Sequence, residues 1–177
     1  SEELEQLRAR DVVTGLMNRP FFIEAVDKAA EDAQREKGGS ALFQIQIDDA
    51  QRIREEAGLS GTDQVLKEVG EALTGVCGES AVLARIGDDT FAGLVRELSR
   101  DAAAELAERM RVALQELLAS ADKKTIRLTA SIGVTLIGQK TGSAQEALNQ
   151  TYNCMGHLAK KHEGGNAVYV YDPADFI

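Results

Sequence analysis

The sequence predicts an α+β fold, a central and mostly antiparallel sheet with helices on both faces. Three observations lead there. Segments with apolar residues at helical spacing alternate with short apolar runs bounded by turn residues. Two of those runs are joined by Gly87-Asp88-Asp89, too short a link for anything but an antiparallel hairpin. The 177 residues, 44% hydrophobic and 28% charged, suit one globular domain with a real core rather than a disordered chain.

The elements follow in order. Residues 1–10 read as the end of a helix, with Leu4 and Leu7 on one side; this is the expected tail of a linker helix arriving from an upstream domain, leaving 11–177 as the domain itself. Residues 11–20 are turn-rich and end in Pro20, which suits a first helical turn because its missing N–H is not needed there. Phe21, Phe22, Ala25, Val26, Ala29 and Ala30 then repeat at helical spacing until Gly38-Gly39. Residues 41–47 form a strand with Phe43, Ile45 and Ile47 on one face and Gln44 and Gln46 on the other. A short helix to Ala57 breaks at Gly58. Ser60 or Thr62 is expected to cap the next, which carries the stripe Val65, Leu66, Val69, Leu73 and Val76.

The hairpin strands are 81–86 and 90–95. Residues 99–120 read as a long helix with Leu106, Met110, Leu114, Leu117 and Leu118 inward. Residues 125–137 are β-rich, 143–162 form a last helix stopped by Gly164-Gly165, and 167–171 form a closing strand.

Charge and cysteine content narrow the function. Twenty Lys and Arg against 29 Asp and Glu give a net charge of −9, with no basic patch larger than Lys160-Lys161-His162. Such a surface repels phosphate backbones and anionic lipid, so neither nucleic acid nor membrane is an expected partner. No stretch approaches the roughly 18 apolar residues of a membrane helix, and the acidic start is no signal peptide. Cys77 and Cys154 form no disulfide framework or metal-ligand pair, which fits reduced apolar side chains in a cytoplasmic protein. The chain lacks an initiator Met and is expected to be a piece of a longer protein.

Four ordered motifs then carry a resemblance. They are Asp11-x-x-Thr14-Gly15-Leu16-x-Asn18-Arg19, the hairpin Arg85-Ile86-Gly87-Asp88-Asp89-Thr90-Phe91, Thr129-Ala130-Ser131-Ile132-Gly133-Val134, and Lys161-x-x-Gly164-Gly165-Asn166. Together they resemble the GGDEF domain, the nucleotide-cyclase-like fold of diguanylate cyclases, over nearly the whole chain. The resemblance implies joining two GTP molecules into cyclic di-GMP, with carboxylates holding Mg²⁺ against the triphosphate.

It also implies that this chain has lost most of that equipment. Gly87 is kept, but Asp88 stands in place of the second hairpin glycine, adding a negative charge where phosphate would lie. Asp89 keeps one acidic position and is the one metal carboxylate left. Thr90 replaces the following glutamate, and a hydroxyl is neither a useful base nor a good Mg²⁺ ligand. Gln46 replaces the first-strand aspartate. Arg54 replaces the asparagine that reads guanine, offering donors only. Asp63 and Lys161 remain as vestiges of the guanine and phosphate contacts, while Gly165 stands where a second basic residue is usual. Asp48 keeps the second strand aspartate, whose role is less direct. Gly78-Glu79-Ser80-Ala81 occupies the place of the R-x-x-D feedback motif, so no product-inhibition site is expected.

The blander readings are hairpin-turn residues for Asp88-Asp89, helix N-terminal charges for Asp48, Asp49 and Asp63, a hairpin-supporting role for Arg85, and surface positions for His157 and His162. The expectation is a catalytically inactive regulatory or scaffold domain of a bacterial cyclic di-GMP signalling protein. It needs no cofactor and no bound metal. Its partners would be neighbouring domains of the same chain, a sensor and an EAL-like phosphodiesterase domain, with a homodimer forming through the N-terminal helix. The resemblance places such composites in biofilm formation, adhesion or type IV pilus motility. A GTP-binding allosteric sensor without turnover and a very weak cyclase are the alternatives.

Overall fold

The computed structural model describes residues 2–161 and 163–176. His162, one of the two histidines, lies outside the described residues. A five-stranded sheet, ordered β2-β3-β1-β6-β7, is sandwiched between two helical layers. Its strands are β1 (Ser40–Ile47), β2 (Ala81–Arg85), β3 (Thr90–Arg96), β6 (Ala130–Ile137) and β7 (Val168–Val170). β1 runs antiparallel to both β3 and β6, and only the edge pair β6–β7 is parallel.

The helices are α1 (Glu2–Arg8), α2 (Arg19–Gln34), α3 (Ala50–Cys77), α4 (Arg100–Glu116) and α5 (Ala144–Lys161). Strand alternation divides β1 between two cores. Phe43, Ile45 and Ile47 pack with Val65, Val69, Leu73, Met110 and Leu114 under α3 and α4. Leu42 packs with Phe22, Val26, Ala30 and Ala147 under α2 and α5. Gln44 and Gln46 therefore face a second helical layer rather than water.

The helix starts follow capping chemistry. Asn18 accepts from the Phe21 N–H at 3.3 Å with Pro20 in the first turn, Ser99 accepts from Ala102 N–H at 3.1 Å, and Ser143 accepts from Glu146 N–H at 3.1 Å.

Four expectations are corrected. The first helix, α1, ends at Arg8, and Ala9 and Arg10 are pinned to the domain: the Ala9 carbonyl accepts from Asn18 N–H at 2.7 Å, and Arg10 bridges Met17. Neither Ser60 nor Thr62 caps a helix. The break expected at Gly58 is there: at φ 72° and ψ −177° it divides α3 into two helical parts across a kink, and the Thr62 hydroxyl donates back to the Gly58 carbonyl at 2.6 Å. The α4 helix stops at Glu116 and Leu118 is exposed, whereas Met110 and Leu114 are buried and Leu106 and Leu117 pack against the core as expected, with Ala103 and Ala107 buried beside them. The β-rich stretch is two structures, a small ribbon of β4 (Ala119–Ala121) and β5 (Lys124–Ile126) and the long strand β6.

Candidate functional site

The signature hairpin meets the end of β1 at one edge of the molecule. Ile47 N–H donates to the Asp89 carbonyl at 3.0 Å, and Gln46 is the register partner of Thr90. Because neighbouring strand residues point to opposite faces, Asp89 and Thr90 serve different sides of the sheet. Phe91 is fully buried in the α3–α4 core and anchors the hairpin.

On the α3 side, Asp89 pairs with the Arg54 guanidinium. Both line a cavity of about 430 Å³ with Gly58, Asp63, Arg85 and Asp88. Asp63 is exposed at its rim and makes no ion pair among the described residues. Asp88 is exposed, and its carbonyl accepts from Arg85 Nη2 at 2.8 Å. Arg85 thus supports the hairpin, and it also reaches Asp11 at 3.4 Å. The Asp11 carboxyl sits below its ordinary range: burial pushes it up, but the Thr14 hydroxyl and N–H, with Arg85, more than offset that. Asp11 is therefore a brace tying the turn after α1 to the hairpin.

On the opposite side, the Thr90 hydroxyl donates to Gln46 Oε1 at 2.7 Å. At the two positions where the resemblance implies metal carboxylates, the side chains form a neutral hydrogen bond. As a donor set for a divalent cation these positions are poor: they offer one carboxylate, already paired with a guanidinium, and an amide oxygen already accepting a hydrogen bond. Mg²⁺ is usually held by one or two carboxylates together with waters and substrate phosphates. Among the described residues no group of three or more His, Cys, Asp or Glu could hold a metal ion.

Lys161 ends α5, exposed and away from this cavity. Gly165 lies against Asp48 instead. A Cβ built there would sit 2.6 Å or less from all three carboxylate atoms, and its φ is 78°. Asp48 accepts from the Thr129 and Ser131 hydroxyls and the Asn166 N–H, each at 2.7 Å. Sequence reasoning missed this clasp, although the spacings Thr129-x-Ser131 and Gly164-Gly165-Asn166 mark both of its ends. Asp49 precedes α3 in the left-handed region at φ 51° and makes no side-chain cap; its carboxylate instead accepts from Arg52 Nε at 3.3 Å in the first turn of that helix.

The family model for the diguanylate cyclase GGDEF domain matches residues 8–166. Among curated proteins, the chain is 33% identical over 146 residues to the cyclic di-GMP phosphodiesterase NbdA of Pseudomonas aeruginosa, covering 82% of this chain and 18% of that protein. It is 27% identical over 171 residues to the probable diguanylate cyclase DgcE of Escherichia coli, covering 97% of this chain and 15% of that one. The chain thus spans less than a fifth of the length of either. Among solved structures, the FimX GGDEF domain from Pseudomonas aeruginosa superposes with a TM-score of 0.85 at 31% identity, covering 90% of this chain and 98% of that one. With the four motifs, the sheet order and the hairpin in agreement, the chain belongs to the GGDEF family of cyclic di-GMP signalling domains.

Proposed function

We propose that this GGDEF domain regulates by its surfaces and does not turn GTP into cyclic di-GMP. One observation carries the reading: the Arg54–Asp89 ion pair, backed across the sheet by the Thr90–Gln46 hydrogen bond, occupies the places where the family holds guanine and metal. Opening the ion pair would strip a partly buried carboxylate of its partner before any metal could bind, and Asp88 adds a further anion at the hairpin. The similarity to NbdA, a much longer protein named as a cyclic di-GMP phosphodiesterase, supports a place beside a phosphodiesterase-type domain of the same chain. No helix among the described residues is long and apolar enough to cross a membrane.

The test is overnight incubation with GTP and Mg²⁺ followed by chromatography, with no cyclic di-GMP expected. Product that disappears in Asp89→Ala overturns the reading. The combined variant Q46D/R54N/D88G/T90E is expected to gain Mg²⁺-dependent GTP binding in calorimetry. A second reading, a GTP sensor without turnover, draws on Asp63, which still faces the cavity without an ion-pair partner among the described residues. Heat at millimolar GTP in the unaltered protein would favour it.

A further inference from the structure

The chain leaves the sheet at β7 and turns back over α5. Tyr171 N–H donates to the Val134 carbonyl at 2.7 Å, the last backbone bond from this end to the sheet among the described residues. Arg100, at the start of α4, adds a side-chain anchor, donating to the Tyr171 carbonyl at 3.1 Å and the Val170 carbonyl at 3.5 Å. Asp172-Pro173 then sets the turn. Proline suits the first position of the short 3₁₀ helix Pro173–Phe176, and the Asp172 carboxylate accepts from Ala174 N–H at 3.0 Å. The turn carries Phe176 back to the α5 side of β7.

Strand alternation puts Val168 and Val170 on the core side of β7 and Tyr169 and Tyr171 on the other. Phe176 stacks on Tyr171, with ring centroids 5.2 Å and planes 12° apart, and meets Tyr169 edge-on at 6.3 Å. His157 of α5, expected at the surface, is half-buried in the same cluster: it stacks on Tyr169 at 4.0 Å and lies 5.9 Å from the Phe176 ring. The Tyr169 hydroxyl donates to the Asp175 carboxylate. No backbone group of 172–176 bonds outside that segment among the described residues; Ala174 and Asp175 N–H both turn back to Asp172. Rings and one side-chain hydrogen bond therefore hold the segment, and Phe176 stays 38% exposed. Segments with so few buried contacts and no ladder bonds open locally, at far lower cost than the sheet beneath them.

We propose that residues 172–176 form a strap that closes over α5 and β7 and opens as a unit while the sheet stays folded. Closed, it ties the direction in which the chain leaves the domain to the position of α5. Through Leu148 and Tyr152 the same helix walls a cavity of about 590 Å³ lined by Gln46 and Thr90, so the strap and the signature face share one rigid element. Open, the strap frees that direction. Its role in signalling rests on the reading that the domain works through its surfaces, and the strap gives those surfaces a moving part.

The experiment is a urea titration followed by circular dichroism, with NMR of the protein in buffer. The chain has three tyrosines and no tryptophan, and two of the tyrosines lie in this cluster, so the near-ultraviolet signal reads the strap while the far-ultraviolet signal reads helices and sheet. Ring-to-ring NOEs from Phe176 to Tyr171 are expected in buffer, and the tyrosine signal is expected to be lost at a lower urea midpoint than the helical one. Phe176→Ala removes three ring contacts and is expected to raise the open fraction about tenfold, lowering the tyrosine signal and leaving the helical midpoint unchanged. Asp175→Ala keeps every ring and removes only the Tyr169 hydrogen bond, and it is expected to shift the tyrosine transition in the same direction by less. The proposal is overturned if the Phe176 NOEs are missing in the unaltered protein, if the two transitions coincide, if Phe176→Ala leaves the tyrosine signal unchanged, or if its helical midpoint falls too. Cyclic di-GMP formed from GTP would instead sink the reading that gives the strap its role, and would leave these strap measurements as they are.

Discussion

Asp48 holds three chain segments at once, the end of β1, the start of β6 and the turn after α5, through three hydrogen bonds of 2.7 Å. Gly165 is the other half of that arrangement, since only a residue without Cβ leaves the carboxylate room. Gly165→Arg, which would restore a family-like basic residue, is therefore expected to destabilise the fold by about 2–4 kcal/mol in urea unfolding, through backbone strain and displaced hydrogen bonds. It is not expected to create phosphate binding.

Asp11 gives a pH prediction. Its folded pKa lies below the unfolded value of about 3.9, so its contribution is present above that value and is lost as pH falls through the lower folded one. Asp11→Asn should therefore flatten the acid limb of stability below about pH 4, measured by urea midpoints across pH. An unchanged acid limb would rule out the brace.

At the scale of elements, two glycines set how helices meet the sheet. Gly58 adopts a conformation essentially closed to other residues, and a Cβ there would meet nothing within 4 Å. Gly58→Ala should thus cost about 1–3 kcal/mol through backbone strain alone, leaving the amide spectrum of β6 and α5 unchanged. Gly133 is the opposite case. A Cβ on it would lie 2.6 Å from Cys154 Cβ and 3.0 Å from the Thr151 carbonyl. Gly133→Ala should force α5 off β6 at a cost of about 3 kcal/mol, with amide shifts along both elements. The glycine in Thr129-x-Ser131-x-Gly133 was legible as a motif, but its purpose was not, because it lies in the distance between a strand and a helix 21 residues away.

Over the whole molecule, both thiols are sealed in the two helix–sheet layers. Burial pushes Cys77 up to about 11, with Arg109 pulling the other way, and pushes Cys154 up to about 12 against two weaker backbone hydrogen bonds. Thiolate is the reactive form, so neither should react with Ellman's reagent in the folded protein near pH 8, and both should react in denaturant. Reaction of one thiol in the native state would mean that its layer opens.

The sequence by itself determined the order of elements, the hairpin and the family, because strand alternation, helical spacing and turn residues are local patterns. Phe43, Ile45 and Ile47 announced one core face, and Gly87-Asp88-Asp89 announced the turn. The resemblance also implies replacements at positions 46, 54, 88 and 90. Only the tertiary structure decided what the replacements do. Arg54 finds Asp89 from 35 positions away, Thr90 finds Gln46 across the sheet, and Gln44 and Gln46 face a cavity under α2 and α5 rather than water. Such partnerships depend on which residues the packed layers bring within a few ångströms, and spacing along a chain does not encode that distance.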